Sequence, residues 1–401
     1  MKKAKVIIGM GYGDEGKGRM TDYFCSRARN AVVVRYNGGS QAGHTVVLPD
    51  GKRHVFGHIG SGALCGVPTY LSNDFVVNPI VFNKEYNELI IAKSWLPVTF
   101  NMLVGSRARV TFPTDVLTNQ ILESSRSKSD SKHGSCGLGI FETINRNLMW
   151  ESFTIGQLQH YSLSELKQLL INAAGFSMTR LKRLGVELSK EEVGLFKADL
   201  SSKFYYDLSQ FLAHTQVIDE EDALRPYSEV VFEGAQGLLL SESHGVHPYL
   251  TPSDPGLMTP LRLCKENGLQ RIEVCYVTRA YSTRHGAGPL EGECSAEELG
   301  ITPNEAETNQ PNPYQGDFRY ARLSCDRFEA ANTDFASAVE HQTSFIKIKK
   351  TVAITCVDQI NVHNNVLGIV DTVFDQCCVK SGYITNGPSR VNTYKIVKNG
   401  C

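Results

Sequence analysis

The residues best suited to chemistry lie in a glycine-rich segment near the start of the chain. Residues 9–18 have the sequence GMGYGDEGKG. From Gly11 to Lys17 they satisfy the pattern G-x-x-x-x-G-K, in which backbone N–H groups and a lysine hold phosphate oxygens. Gly18 stands where such loops usually place the Ser or Thr that reaches Mg²⁺, so Asp14 is the carboxylate expected to hold the metal. The segment predicts a triphosphate site, although on this segment alone a purely structural glycine turn stays open.

A second segment joins the first in a recognisable pattern. Residues 35–45 have the sequence RYNGGSQAGHT and follow a short apolar run. Together, GDEGKG and GGSQAGHT resemble the adenylosuccinate synthetase family. Further segments resemble that family in one collinear order: IGSG at 59–62, FEGAQG at 232–237, HPYLT at 247–251, AYSTRHGAGP at 280–289 and ITNGP at 384–388. The resemblance therefore extends over essentially the whole chain.

The resemblance implies a two-step reaction and assigns its groups. Members of the family phosphorylate the purine O6 and then displace that phosphate with the amine of aspartate. Asp14 corresponds to the general base that takes the N1 proton, and His44 to the general acid that stabilises the departing diphosphate. Lys17 corresponds to the phosphate clamp. Mg²⁺ is the implied cofactor, held by Asp14 and the carbonyl of Gly43.

The same resemblance assigns three sets of binding residues. The triphosphate set is Gly13, Glu15, Gly16, Lys17, Gly18, Gly43, His44, Thr45, Asp358 and Gly387. The acceptor-nucleotide set is Asp14, Gln41, Ser135, Cys136, Arg146, Gln236 and Thr251. Arg319 and Arg322 are the candidates for the aspartate carboxylates, which need a cationic fork, although solvated surface arginines are an open alternative. Arg146 corresponds to an arginine that crosses a dimer interface, so a homodimer is expected.

Four departures from the family pattern lie among these ligand positions. Cys136 replaces a threonine that binds acceptor phosphate, and Gln41 replaces an asparagine near the purine. An arginine-rich segment is reduced to YQGDFRYAR at 314–322, and TCVD at 355–358 lacks the lysine that covers guanine. Three hypotheses stay open: an enzyme for IMP and GTP, a phage-type relative using GMP or dGMP with ATP or dATP, and an inactive nucleotide sensor. Retained Asp14 and Asp358 favour IMP and GTP.

The elements that position these residues are predicted by apolar periodicity. Apolar β-branched runs without alternation are typical of strands covered on both faces, and helix-like stretches lie between them. These runs are at 6–8, 32–34, 75–77, 230–232, 272–277 and 352–356, with helices expected at 19–26 and 163–174 and long surface loops at 124–135 and 292–316. The expected fold is a single α/β domain over 1–401, with a mostly parallel central sheet, flanking helices and a P-loop-like phosphate loop after the first strand.

Composition limits the partners. The 401 residues carry a net charge of −1 with both signs interspersed, which argues against a nucleic-acid or anionic-membrane partner and favours small molecules. No apolar run reaches the roughly 20 residues that span a bilayer. Eleven scattered cysteines without a C-x-x-C pair fit reduced thiols in the cytoplasm.

Overall fold

A computed structural model of the chain describes residues 2–128, 134–303, 307–308, 316–342, 346–361 and 366–398. The strands in these ranges are β1 (Lys3–Gly9), β2 (Ala31–Arg35), β3 (His44–Val47), β4 (Arg53–Phe56), β5 (Thr69–Leu71), β6 (Val76–Val77), β7 (Met102–Gly105), β8 (Arg109–Val110), β9 (Gln216–Ile218), β10 (Glu229–Gly237), β11 (Arg271–Arg279), β12 (Ser282–His285), β13 (Glu293–Cys294), β14 (Phe318–Ala321), β15 (Lys347–Thr355), β16 (Ser381–Thr385) and β17 (Thr393–Val397). The helices are α1 (Lys17–Cys25), α2 (Pro79–Tyr86), α3 (Pro113–Lys128), α4 (Ile140–Met149), α5 (Ile155–Leu158), α6 (Leu163–Arg183), α7 (Lys190–Lys197), α8 (Ser201–His214), α9 (Glu220–Ala223), α10 (Met258–Glu266), α11 (Asp326–Glu340) and α12 (Val366–Gln376).

A large, mostly parallel sheet organises the described part of the chain. Its ten strands run in the order β17-β16-β15-β11-β1-β10-β2-β5-β7-β9, and β16–β17 is its one antiparallel pair. Because the other strands are parallel, their carboxyl ends share one edge, where ligands usually bind in open α/β sheets. This architecture confirms the predicted fold class. That residues 1–401 form one domain stays a prediction.

The central strands follow from their apolar sequences. Val6, Ile7 and Ile8 of β1 are fully buried, and Val6 lies between Phe232 of β10 and Val274 of β11. Five of the six apolar runs are central strands, as predicted. The prediction for 75–77 was wrong, because only Val76–Val77 is a strand and it pairs with β8 outside the large sheet. Phe75 and Val77 are buried instead in the apolar cluster beside α2.

The predicted helices lie where they were expected, but their ends differ from the prediction. Ser162 and Glu165 form the expected capping box at the start of α6, which continues beyond the predicted 163–174 to Arg183. The expected loop at 124–135 was wrong in its first part, since 124–128 continue α3, whose apolar side packs near α6. Residues 129–133 of that loop, and 304–306 and 309–315 of the loop expected at 292–316, lie outside the described residues.

Two small sheets lie at the carboxyl edge of the large sheet. The hairpin β3–β4 follows the loop after β2, and the sheet β12-β14-β13 begins just after β11. Both therefore lie beside the phosphate loop that follows β1. None of the described helices is long and apolar enough to cross a membrane.

Candidate active site

The loops after β1, β2 and β10 meet at the carboxyl edge. A Cβ built on Gly13 would lie 3.5 Å from Cα of Gln236, and one built on Gly18 would lie 2.8 Å from Cβ of His44. The structure therefore brings the phosphate loop, the GGSQAGHT segment and the FEGAQG segment into contact, as the motifs predicted.

The phosphate loop is fixed through its backbone. Gly16 has φ 92°, and Asp14 has φ 58°, an uncommon left-handed conformation for a non-glycine residue. Two neighbouring strands hold this loop. Nε of Arg279 donates to the backbone oxygen of Asp14 at 2.7 Å, and Oγ1 of Thr355 donates to that of Glu15 at 2.8 Å. These bonds stabilise the backbone conformation of the loop, which sets the orientation of the Asp14 side chain.

The Asp14 carboxylate combines burial with nearby cations. Burial raises its pKa, and the charges of Arg279, Lys17 and His285 oppose that rise, with Arg279 the largest of the three. Because burial prevails, Asp14 holds a proton more tightly than an ordinary aspartate, which is the direction a general base needs.

Lys17 and Glu15 lie together beneath the loop. A Cβ on Gly9 would be 2.2 Å from Oε2 of Glu15 and 3.1 Å from Nζ of Lys17. Burial lowers the pKa of Lys17 and raises that of Glu15 to about 7. The backbone N–H of Gly11 donates to Glu15 at 2.6 Å. The ammonium group is thus held against the glycine backbone, where a phosphate clamp is required.

His44 is fixed by a buried carboxylate. Its Nδ1 lies 2.6 Å from Oε1 of Glu233, which also accepts from the Ser61 hydroxyl, while the Ser61 N–H donates to Oε2 at 3.0 Å. Burial lowers the pKa of His44 to about 4, against the opposing charge of Glu233. Nε of Arg35 lies 4.0 Å from Oε2 of Glu233 in the same buried cluster. At neutral pH the imidazole is neutral, and its Nδ1–H is held by Glu233.

The contact with His44 explains why Gly18 replaces the usual Ser or Thr. A Cβ at this position would lie 2.8 Å from Cβ of His44 and 3.0 Å from Oγ of Ser61. Any larger residue would displace the histidine or the serine that supports its carboxylate partner. The departure from the common loop pattern therefore makes room for His44, the predicted general acid.

The predicted acceptor residues of β10 and its neighbours form a connected polar group. A Cβ on Gly38 would lie 3.3 Å from Nε2 of Gln41 and 3.8 Å from Oε1 of Gln236. Oγ of Ser253 donates to Oε1 of Gln236 at 2.9 Å and lies 3.3 Å from Oγ1 of Thr251. The buried Oε1 of Gln41 has no hydrogen-bond partner in the described part of the chain.

The predicted acceptor-phosphate loop lies beside the segment after β12. A Cβ on Gly134 would be 2.7 Å from the backbone N of Ala287. Oγ of Ser135 exchanges hydrogen bonds with the Asn119 amide at 2.9 and 3.2 Å. Burial raises the pKa of Cys136 to about 11, so its thiol is neutral at neutral pH. Ser135 thus supplies the hydroxyl of this loop.

The interface role expected for Arg146 stays a prediction, and in the single chain this side chain has partners of its own. Its side chain is 1% exposed and bonds within its own chain. Nε and Nη2 donate to the carboxylate of Asp115 at 2.9 and 3.0 Å, Nη2 donates to the Val110 carbonyl at 2.8 Å, and the guanidinium stacks 3.9 Å from the Phe112 ring centroid. To contact a neighbouring subunit, Arg146 would have to exchange some of these partners.

The two arginines predicted to bind aspartate differ in their surroundings. Arg319 donates to Glu293 through Nε at 2.8 Å and through Nη2, and Nη1 donates to the carbonyls of Gly286 and Gly288 at 3.0 and 2.8 Å. The Arg322 side chain is exposed. Their role stays a prediction, and Arg319 would have to leave Glu293 to perform it.

The predicted donor-base residues lie farther along the same edge. Asp358 is exposed in a short 3₁₀ turn (Val357–Gln359) after β15, and Gly387 follows β16. Nη1 of Arg19 in α1 donates to Oγ1 of Thr385 at 2.6 Å, which links the helix after the phosphate loop to the end of β16. A nucleoside triphosphate with its phosphates at this loop can therefore extend its base towards Asp358.

The donor set at the phosphate loop fits Mg²⁺. No described residue donates a hydrogen bond to the Asp14 carboxylate, and the Gly43 backbone is exposed immediately before His44. The described residues contain no group of three or more His, Cys, Asp or Glu side chains that could hold a metal ion. Mg²⁺ commonly takes one or two protein oxygens together with substrate phosphates, so a carboxylate and a backbone carbonyl are donors of the kind it prefers.

Sequence reasoning missed the residues that support the site. Glu233 lies inside the FEGAQG motif but was not selected, and Arg35 and Arg279 end the buried strands β2 and β11. A charged residue directly after an apolar run of a buried strand was the available signal, because such a charge needs a partner.

These features define a class: an α/β enzyme with a phosphate loop, a buried carboxylate and a buried histidine at the edge of a parallel sheet. Residues 6–311 match the family profile of adenylosuccinate synthetase. The chain belongs to the adenylosuccinate synthetase family, whose members are ligases that form a carbon–nitrogen bond. It is 31% identical over 311 residues to the adenylosuccinate synthetase of Picrophilus torridus, a match covering 77% of this chain and 69% of that protein.

Two solved structures share the fold. Fully ligated adenylosuccinate synthetase from Plasmodium falciparum has a TM-score of 0.70 at 17% identity, covering 98% of this chain and 99% of that one. The cyanophage S-2L succinoaminodeoxyadenylate synthetase PurZ, bound to dGMP and dATP, has a TM-score of 0.64 at 18% identity, covering 98% and 95%.

Proposed function

We propose that this protein joins L-aspartate to C6 of IMP, giving adenylosuccinate, with GTP converted to GDP and phosphate. The observation that carries the proposal is the meeting of Asp14, Lys17 and the His44–Glu233 pair around one phosphate loop. A base, a cation and an acid at one loop are the groups that this chemistry needs.

In the first step Asp14 takes the N1 proton of IMP, and the electron pair makes O6 the nucleophile. O6 attacks the γ-phosphorus, the bond from that phosphorus to the β–γ bridging oxygen breaks, and GDP leaves. Lys17 lies where it offsets charge on the transferred phosphoryl group. In the second step the aspartate amine attacks C6, the C6–O6 bond breaks, and O6 departs with the phosphate, which takes up the proton that the amine releases.

His44 acts on the departing diphosphate through the nitrogen that Glu233 leaves available. Its Nδ1–H stays bonded to Glu233, so Nε2 is the second ring nitrogen. Phosphate negative charge nearby favours protonation of the ring, which opposes the effect of burial on its pKa. Nε2–H then donates to the β-phosphate oxygen as negative charge develops there.

Mg²⁺ would be held by Asp14 and the Gly43 carbonyl, and it would neutralise triphosphate charge. The chain's own residues place the nucleotides. The donor phosphates lie against residues 13–18 and 43–45, with Asp358 accepting from guanine N1 and N2 and Gly387 beside it. The acceptor lies along Gln41, Gln236 and Thr251, with its phosphate towards Ser135 and Cys136.

One observation favours a second candidate, in which GMP or dGMP is the acceptor and ATP or dATP the donor. Guanine carries a 2-amino donor that hypoxanthine lacks, and the partnerless buried Oε1 of Gln41 is an acceptor near the proposed base site. The fold is shared with the cyanophage enzyme bound to dGMP and dATP. IMP remains the first choice because Asp14 and Asp358 are both present.

A homodimer is also part of the proposal, with α4, the helix that carries Arg146, at the interface. Three large apolar side chains of α4 are exposed: Phe141 at 49%, Leu148 at 75% and Met149 at 63%. An apolar patch of this kind suits contact with a second copy. Sedimentation velocity would test it, with a monomer at micromolar concentration as the contradicting result.

The test of substrate choice is a matrix of acceptors and donors. Purified protein with Mg²⁺ and aspartate receives IMP, GMP or dGMP against GTP, ATP or dATP, and succinylpurine absorbance and phosphate release are followed. Product from IMP with GTP supports the proposal, and product from dGMP alone supports the second candidate. Nucleotide binding without turnover in any combination would indicate a sensor and contradict both.

A further inference from the structure

Arg279 is a buried cation at the end of β11, beside the Asp14 carboxylate. Arg279 is 6% exposed, and among the neighbouring charges it lowers the pKa of Asp14 the most. Nε bonds the backbone oxygen of Asp14 at 2.7 Å, and Nη1 bonds the Tyr281 hydroxyl at 3.1 Å. The guanidinium also lies 5.2 Å from the Phe318 ring centroid. Two of its nitrogens are thus fixed by the fold.

The third nitrogen already binds a carboxylate. Nη2 of Arg279 donates to Oε2 of Glu307 at 3.0 Å. Glu307 is adjacent to Thr308, whose hydroxyl lies 2.5 Å from that of Thr45 and accepts from Arg53 at 2.6 Å. Glu307 and Thr308 therefore lie between the β3–β4 hairpin and the end of β11, next to the proposed reaction centre.

The proposed chemistry requires a carboxylate receptor at this place. The amine of aspartate must reach C6, which is bonded to the N1 that Asp14 deprotonates, so the amine attacks close to Asp14. Its carboxylates lie only a few bonds farther on, and they need arginine donors. Arg319 is fully bonded to Glu293 and two carbonyls, whereas Arg279 presents Nη2 to a carboxylate beside Asp14.

We propose that Arg279 binds one carboxylate of the aspartate substrate at the Nη2 position that Glu307 holds, so that Glu307 is an internal competitor of the substrate. This inference rests on the proposed aspartate ligase function and assigns its dicarboxylate site. Glu307 would also keep the buried arginine paired between turnovers.

The first test is Glu307→Gln, with Glu293→Gln as the matched control. Glu307→Gln removes the competing charge and lowers the KM for aspartate about fivefold, the scale of one partly exposed ion pair. The KM values for the purine nucleotides stay within about twofold of wild type, as expected for a local change. Glu293→Gln releases Arg319 instead and leaves the aspartate KM unchanged.

A second variant, Arg279→Lys, keeps the charge and loses the fork. The KM for aspartate then rises about tenfold or more, because a lysine ammonium group lacks the three fixed nitrogens that let Arg279 stay bonded to Asp14 and Tyr281 while Nη2 meets the carboxylate. The inhibition constant of succinate, a dicarboxylate without an amine, rises in parallel. This binding measurement separates a carboxylate receptor from a residue that only supports the Asp14 backbone, since loss of support would lower kcat and leave succinate inhibition unchanged.

The failures of the two proposals are distinguishable. If wild type forms succinylpurine but Glu307→Gln leaves the aspartate KM unchanged or raises it, the assignment of Arg279 is overturned while the ligase function stands. If Glu293→Gln alone lowers that KM, Arg319 is the receptor. Absence of aspartate-dependent product from wild type overturns the ligase function itself, and this inference with it.

Discussion

Replacing Glu233 with glutamine removes a negative charge that three buried groups share. Oε1 accepts from His44 and from the Ser61 hydroxyl, Oε2 accepts from the Ser61 N–H, and Arg35 lies 4.0 Å away. Burial alone would raise the pKa of Glu233, yet these partners lower it to about 2. A depression of that size from 4.5 corresponds to about 3 kcal/mol at 1.36 kcal/mol per pKa unit.

The expected effect at neutral pH is somewhat smaller. Part of the depression requires a charged His44, which is neutral at pH 7, so about 2 kcal/mol is expected from Arg35 and the hydrogen bonds. In the variant, the NH₂ group of the glutamine faces a group that itself donates, either the His44 Nδ1–H or the Ser61 N–H, because the carboxylate accepted hydrogen bonds from both. His44 then loses the tautomer that Glu233 fixes, and kcat falls by about 10²- to 10⁴-fold.

Urea unfolding at pH 7.5 and steady-state turnover measure the two effects separately. Glu273→Gln is the matched control, because Glu273 is a paired carboxylate on β11 that contacts Lys5 and accepts from the Tyr383 hydroxyl at 2.9 Å, towards the opposite edge of the sheet. It should retain its kcat. A Glu233→Gln enzyme within threefold of wild-type kcat and equally stable would refute the role given to the pair.

Three further predictions follow from single contacts. Gly18→Ser should lower kcat at least about tenfold in a turnover assay, since its Cβ would lie 2.8 Å from Cβ of His44, and an unchanged rate would contradict that crowding. Burial lowers the pKa of His44 to about 4 and that of His58 to about 3, so the unfolded chain binds these protons at a higher pH than the folded chain does. The free energy of unfolding should therefore be complete above about pH 6.5 and fall towards pH 4, by about 3 kcal/mol for His44. Urea titrations at several pH values measure this fall, and His44→Asn should make it smaller. Arg146→Leu should cost about 3–5 kcal/mol by leaving Asp115 buried without its partner. A stable variant with a raised acceptor KM would instead support an interface role for Arg146.

The local parts of the structure were predictable from the sequence. Five apolar runs without alternation indicated buried parallel strands, because both faces of such strands are covered. The glycine spacing of residues 9–18 indicated a phosphate loop, and Ser162 with Glu165 indicated the start of α6. Each of these depends on residues near one another in the chain.

The remaining features depend on contacts between distant residues. Glu233 is 189 positions from His44, and nothing in either local sequence shows that one fixes the other. Arg146 was interpreted from alignment with an interface arginine, but a buried Asp115 lies beside it in the fold. Gly18 shows the same limit: its lack of a side chain is explained by His44, which the local motif does not include.

The central claim is that O6 of the purine is phosphorylated before aspartate replaces it. IMP labelled with ¹⁸O at O6, incubated with the protein, GTP, Mg²⁺ and aspartate, tests this by mass spectrometry of the released phosphate. The mechanism predicts one ¹⁸O atom in each phosphate formed with adenylosuccinate. Unlabelled phosphate accompanying adenylosuccinate would contradict it, because O6 would then have left the ring by another route.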